Sequence, residues 1–419
     1  MTLDPEERKR QRQVRARKRQ EVAAKRRKLL IGGAAAALAL ILCVVLIAVA
    51  AGRNAANKTP SRPNRPQLEE TTLPEQTTVH FVAGGDLNIT DNVVASGGEQ
   101  QDYTNAFIDV AAILADADLT ALNFEGNLCG QPYGTETVSA PETIVQALRS
   151  AGVDVLQFAN SYSVNQGMSG LKRTLLSAKN AGMTPLGAYG SATERDQEKG
   201  YIIREVDGVR IAMVAFTKGM SGTRLPAGCE GCVNVLYTDY DSTYQAVDSD
   251  GINRILEAVK KEKPDFTIAM LHWGSEYNDT ISESQEKIVS VMQQGGVDAI
   301  IGTHSHYVHE IKFDPLTGKF VAYSLGDFFG DAQRAGSEYS ILLDLEITKD
   351  HRSGDTALTG YSYTPIFTVA EENKPLRILR IREAMVAYEQ GYVDKVSPET
   401  YAAMEYALGR IESRIAGKG

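Results

Sequence analysis

The sequence predicts an α/β body carried behind one transmembrane helix and a linker. Three observations lead there. From Thr78 onward, short apolar runs alternate with amphipathic stretches. Leu29 to Gly52 form an uncharged run of 24 residues. The chemistry-bearing polar residues gather where the apolar runs end. The length of 419 residues allows two or three domains, or one large one with extensions. Hydrophobic residues at 43% and charged residues at 23% exclude wholesale disorder, a collagen-like fibre and a many-span membrane protein. Four cysteines exclude a disulfide-rich scaffold.

The N-terminus sets the expected compartment. Residues 1–28 hold twelve Lys/Arg against four Asp/Glu, and the rest of the chain is acidic by 17 charges. An acidic body argues against nucleic acid as a partner, because phosphate neutralisation needs positive surface. The basic block next to an apolar run fits attraction to anionic membrane lipid. About 20 apolar residues suffice to span a bilayer as a helix. The positive-inside rule then places residues 1–28 in the cytoplasm, a single-pass helix at 29–52 in the cell membrane, and the body in the extracytoplasmic space. A cleaved signal peptide would have a shorter apolar core, ~7–15 residues, and a small-residue cleavage site. Residues 53–77, with Pro60, Pro63, Pro66 and Pro74, read as an extended extracytoplasmic linker.

The body follows in order. Strands are predicted at Val79–Asp86 and Asp118–Asn127. Pro141–Gly152 has Pro at a first helical turn and Gly as its stop, and so predicts a helix. A strand at Val153–Asn160 and a helix at Gly170–Gly182 come next. Val209–Thr217 predicts a strand, and Asp250–Lys263 a helix with Asp250 as N-cap. Asp265–Tyr277 predicts a strand running into a loop, and Ser284–Gly296 a helix capped by Ser284. Val297–His306, Lys319–Phe329 and Tyr339–Thr348 complete the strands. Pro375 to Gly417 reads as two helices, the second with Ser397 as cap and Pro398 at its first position. The division is a domain over 78–370 and C-terminal helices over 371–419. Such alternation means an α/β body.

The chain has six histidines. His272, His304 and His306 directly follow buried-looking strands, and other strand ends carry Asp86, Glu125 and Asn160. Ligands of open α/β sheets bind outside the carboxyl ends of strands. Imidazole and carboxylate together suit Zn, Mn or Fe, and a shared carboxylate with separate histidines is the usual recipe for two metals. The expected cofactor is therefore one or two divalent transition-metal ions.

At these residues the sequence resembles the CapA-type capsule-synthesis family, named for poly-γ-glutamate capsule formation. The domain of that family is similar to calcineurin-type metallophosphoesterases. The resemblance runs from about Val79 to Gly330, and more weakly to Ala370. Gly85-Asp86, Asn123-Phe124-Glu125 and His272-Trp273-Gly274-Ser275-Glu276-Tyr277 match family motifs, as do Gly302-Thr303-His304-Ser305-His306 and Tyr323-Ser324-Leu325-Gly326-Asp327-Phe328. The last reads Asn in the family where this chain has Asp327. The resemblance implies a metallophosphoesterase-like β-sandwich flanked by helices. It implies Asp86, Glu125, His272, His304 and His306 as metal ligands, with Glu125 as the bridge. Asn88, Asn160, Trp273 and Glu276 are expected to contact substrate, Trp273 as a wall of the pocket. The implied partners are a capsule or cell-wall polymer and capsule-synthesis membrane proteins.

One departure weakens the enzymatic expectation. Where the family reads Ala-Asn-Asn-His-x-x-Asp-x-Gly, this chain reads Ala159-Asn160-Ser161-Tyr162-Ser163-Val164-Asn165-Gln166-Gly167. The second Asn would bind the second metal and the His would protonate the leaving group. Ser161 is a poor neutral ligand. Tyr162 is a weak candidate for the acid, since a phenol titrates near pH ~10. Two functions follow: a membrane-anchored metal-dependent hydrolase or transferase acting on a surface polymer, or a catalytically weak polymer-binding or scaffold subunit. Cys229-Glu230-Gly231-Cys232 lacks two further ligands for zinc. A bond between these two, a bond from one of them to Cys129, and free thiols all remain open.

Overall fold

The computed structural model describes residues 74–372, 374–392 and 396–418. They belong to one compact unit, residues 72–419. The expected basic tail, transmembrane helix and most of the linker lie outside the described residues. Among the described residues no helix is long and apolar enough to cross a membrane.

The elements run β1 (Gln76–Asn88), α1 (Asp91–Ala95), α2 (Thr104–Asp116), β2 (Leu119–Glu125), α3 (Thr143–Ala151), β3 (Val155–Gln157), α4 (Gly167–Asn180), β4 (Thr184–Leu186) and α5 (Ala192–Glu198). They continue β5 (Tyr201–Val206), β6 (Val209–Thr217), α6 (Ser249–Glu262), β7 (Phe266–His272), α7 (Glu283–Gln294), β8 (Ala299–Thr303), β9 (Ile311–Asp314), β10 (Lys319–Ala322) and β11 (Asp327–Phe329). The chain closes with β12 (Tyr339–Asp350), β13 (Thr356–Val369), β14 (Arg377–Arg380), α8 (Ile381–Glu389) and α9 (Pro398–Ile415).

Two mixed sheets result, as an α/β protein requires. The first has the order β14-β13-β12-β1-β2-β3-β4, with β11 alongside the end of β1. Strands β1 to β4 are parallel, and β12 to β14 join them antiparallel. The second has the order β5-β6-β7-β8-β10-β9, parallel from β6 to β10. Side chains alternate across a strand, so each sheet feeds two layers. In β6, Ile211, Met213 and Ala215 enter the cluster that includes both sheets, while Ala212, Val214 and Phe216 face a second cluster. That second cluster is closed by Ile252, Leu256 and Val259 of α6 and by Ile288 and Met292 of α7. Burying each such side chain contributes about 1.5–3 kcal/mol.

Helix boundaries shift by a residue or two from the expected caps. Asp248, not Asp250, caps α6 by accepting from Gly251 N. Ser282, not Ser284, caps α7 in a capping box with Gln285. Ser397 caps α9, with Pro398 at its start. The stretch after 371 begins with a strand, β14, rather than a helix, because Ile378 and Leu379 complete the core against β13.

The approach of β11 to β1 fixes where the functional residues lie. The β1–β2 register shifts between Ala83 and Asp86, a bulge that re-aims the end of β1. There Asp86 N donates to Gly326 O at 3.1 Å. A Cβ on Gly85 would stand 1.7 Å from Gly326 O, so only glycine fits. Gly85→Ala is therefore expected to cost at least the ~3 kcal/mol at the upper end of ordinary overpacking. Urea unfolding would show it as a lowered midpoint. An unchanged midpoint would mean that the β1–β11 approach is not close.

Candidate functional site

Parallel strands of both sheets end at one rim. β1 supplies Asp86 and Asn88, β2 supplies Asn123 and Glu125, and β7 ends on His272. The turn after β8 supplies His304 and His306, and β11 opens on Asp327. His304 and His306 sit at φ +88° and +61°, a region non-glycine residues enter at about 1–3 kcal/mol each. The His304 ring lies 4.4 Å from that of His272 and 6.3 Å from that of His306 between centroids.

Asp86 is wholly buried. Its Oδ2 accepts from His304 N at 2.8 Å and its Oδ1 from Asn123 Nδ2 at 2.5 Å. His272, also at 0% exposure, places Nε2 3.1 Å from Glu125 Oε1 and 3.0 Å from Ser161 Oγ. Its Nδ1 lies 3.1 Å from Thr303 Oγ1. His306 Nδ1 pairs with Asp327 Oδ1 at 2.8 Å, and its ring stacks on Tyr277 with centroids 4.8 Å apart.

Electrostatics follow from crowding these groups out of water. Burial first, then Glu125, raises Asp86 to about 6. Burial also pushes Glu125 up, but the neighbouring His272 outweighs it and leaves Glu125 below its usual range. Burial, His272 and Lys218 hold His304 well below the usual imidazole range, so it is neutral. Burial pulls His306 down, yet the Asp327 carboxylate holds it up at about 10. Burial raises Asp327 in turn.

Two candidate metal-ligand groups emerge. Donor atoms of Glu125, His272 and His304 all lie within 4.8 Å of one another, and so do those of Asp86, His306 and Asp327. Glu125 Oε2 and His304 Nδ1 are buried without a hydrogen-bond partner among the described residues. An orphaned buried polar atom costs ~1–3 kcal/mol. Carboxylate oxygens and neutral imidazole nitrogens with free lone pairs are what a divalent transition metal takes, so the first donor set fits as it stands, whereas in the second an ion must displace the proton that Asp327 holds on His306.

The remaining predicted residues divide. Asn88 hydrogen-bonds Asp327 and lines a cavity of about 210 Å³ with Glu125, Tyr162, Glu276, Tyr277 and His306. Glu276 is exposed and also lines a second cavity of about 240 Å³. Asn160 faces inward: it donates to Asn123 Oδ1 at 3.1 Å and Phe124 O at 2.7 Å, and its Oδ1 takes Tyr162 N. It positions the strand ends and opens on neither cavity. Trp273 needs correction as a pocket wall. It is 0% exposed, donates Nε1 to Tyr323 O at 2.9 Å and stacks on Tyr323 within the second cluster. The residue after His272 necessarily points to the other face. Burial, with Glu125 and Glu276 nearby, pushes Tyr162 up to about 12, further from a useful acid. Cys129, Cys229 and Cys232 are free thiols. A larger cavity of about 540 Å³, lined by Asn92, Glu371 and Lys374, is separate from both ligand groups.

Sequence reasoning missed Asp327 and Asn123 as site residues. Asn123 lay within a quoted motif, and Asp327 was visible as the acid in the Gly-Asp-Phe that replaces Gly-Asn-Phe.

This is an α/β protein with an acid-and-imidazole cluster held between two sheets. The family model of the bacterial capsule synthesis protein PGA_cap matches residues 80–332, and the chain belongs to that family. The capsule biosynthesis protein CapA of Bacillus anthracis is 28% identical over 197 residues, 46% of this chain and 44% of that protein. The PGA biosynthesis protein CapA of Bacillus subtilis (strain 168) is 26% identical over 261 residues, 60% of this chain and 63% of that protein. The chain thus matches less than two thirds of the length of either relative. The calcineurin-like phosphoesterase YfkN of Bacillus subtilis superposes with TM-score 0.44 at 16% identity, covering 80% of this chain and 99% of that one.

The His306–Asp327 pair gives a direct test. In EDTA-treated protein His306 should titrate near 10, and Asp327→Asn should bring it toward the ordinary ~6.5 in histidine proton NMR. A raised histidine pKa stabilises the fold fully below ~6.5 and loses that contribution as pH rises through 10. The variant should therefore be less stable than the parent at pH 6, with the gap closing above pH 10. Titration that stays near 10 in the variant would assign the shift to another group.

Proposed function

We propose that this chain is a membrane-anchored, extracytoplasmic protein of capsule or surface-polymer synthesis, with a metal-dependent hydrolase- or transferase-type site that is partly degenerate. The observation that carries the site is the pair of donor groups, with Glu125 Oε2 and His304 Nδ1 buried and unpartnered. Glu125, His272 and His304 would hold one ion, and Asp86, His306 and Asp327 a second. Bound Mn, Zn or Fe supplies Lewis acidity. The residues do the rest. Asp86 and Asn123 fix the His304 backbone and the rim, Tyr277 stacks on His306, and Glu276 stands at the mouth of both cavities. The polymer connection rests on the names of the two CapA relatives. The anchor rests on the uncharged run at 29–52 behind a basic segment.

A second reading, a catalytically weak polymer-binding or scaffold subunit, is favoured by residues 161 and 162. Ser161 lies beside His272 where a better ligand would serve, and Tyr162 holds its proton too firmly to release it near neutrality. A general acid is typically worth ~10²–10⁴-fold. Purified full-length protein with Mn or Zn should hydrolyse an aryl phosphodiester only slowly, and Ser161→Asn/Tyr162→His should raise the rate by at least about 10-fold toward that range. Vigorous parental turnover abolished by Asp86→Asn would overturn the degenerate reading and require another acid. The anchor is tested on protoplasts: added protease should remove the body while the basic N-terminus stays protected. A secreted form beginning near residue 54 would show cleavage instead.

A further inference from the structure

We propose that Lys218 is the anion-holding residue of the second cavity, where its ammonium takes a carboxylate or phosphate oxygen of the substrate next to Glu125, His272 and His304. The assignment deepens the proposed hydrolase or transferase reading and rests on it. Lys218 directly follows β6, and its backbone N donates to His272 O at 2.8 Å, so it is tied to the same strand end as the candidate ligand. Its ammonium donates to Gly274 O at 2.6 Å and lies 4.7 Å from the centre of the Tyr244 ring. An ammonium has three donors, of which the Gly274 carbonyl takes one. Among the described residues no carboxylate lies within salt-bridge distance of it, whereas other lysines here, such as Lys319 and Lys349, are paired. Glu276 acts on this half-buried cation only from beyond salt-bridge distance, so the ammonium on its aromatic face keeps donors for an incoming anion.

The cavity around it suits a small oxyanion beside a metal. Lys218, Ser161, Ser221 and Tyr244 line it, and His304 opens on it. Ser221 and Tyr244, both lining it, hold left-handed φ of +50° and +55°. Glu276 lines the same cavity and partly offsets the Lys218 charge, so a bound anion competes with its carboxylate for that ammonium. The substrate class is then one with an anionic group adjacent to the bond acted on, either a carboxylate-bearing chain or a phosphoester.

The test is calorimetric titration of EDTA-treated full-length protein with inorganic phosphate and, separately, with glutarate. Without ions, the result is independent of metal occupancy, so its failure is distinguishable from failure of the metal reading. The parent should bind at least one probe, and the tighter one identifies the oxyanion. Lys218→Met should weaken that binding by roughly 10-fold or more, the usual worth of a charge-assisted hydrogen bond. Lys218→Arg, which keeps the charge, should recover part of it. Thermal unfolding of both variants checks that they are folded, and Lys218→Gln replaces the Met variant if it is not. Equal binding by the parent and the folded neutral variant, or no binding of either probe by the parent, would overturn the assignment.

Discussion

The Asp86 carboxylate ties the two sheets together where their strands end. It belongs to β1 of the first sheet, yet it accepts the backbone N–H of His304, which follows β8 of the second. Its other oxygen takes the Asn123 amide, whose carbonyl in turn accepts from Asn160. These bonds draw the ends of β1, β2, β3 and β8 into one buried junction. Everything else at the rim depends on that arrangement: the strained histidine turn, the Gly85 approach to β11, and the crowding that moves the ionisable groups away from their ordinary values.

Such a junction is costly to bury. Burial first, and then the Glu125 carboxylate in the same dry space, raises Asp86 to about 6. A neutral imidazole nitrogen and a carboxylate oxygen lie beside it without hydrogen-bond partners among the described residues. Natural folds rarely leave buried polar atoms unsatisfied unless a function accounts for them. Positive charge brought by ions would satisfy the same groups. On one side of the junction Ser161 lies beside His272, and on the other Asp327 sets a further carboxylate beside His306.

Much of this was legible because the signals were local. Strands such as Val209–Thr217 are apolar from Ile211 to Phe216 and bounded by polar residues, so strand carboxyl termini could be placed and Asp86, Glu125, His272, His304 and His306 found there. The structure brings these five to one rim. Elements whose sequence contradicts their role were hidden. β13 carries Gly360 and Pro365, which argue against a strand, yet it pairs along β12; opposite Pro365, Ile341 donates its N–H away from β13 to Leu325 O, so that pair needs no N–H from the proline. Trp273 was misplaced because motif membership says nothing of which face a side chain takes. Asp327 was missed because the Gly-Asp-Phe motif shows the acid but not its partner, His306, 21 positions away in sequence.

The most direct test of the account is metal content, measured by mass spectrometry on full-length protein loaded with Mn, Zn or Fe, with anomalous scattering to place the ions. The account predicts one or two ions per chain, between Glu125, His272 and His304 and between Asp86, His306 and Asp327. Asp86→Asn and Asp327→Asn should each lower occupancy of the second group while the protein stays folded. A folded protein that takes up none of these metals, or holds them elsewhere, would contradict it.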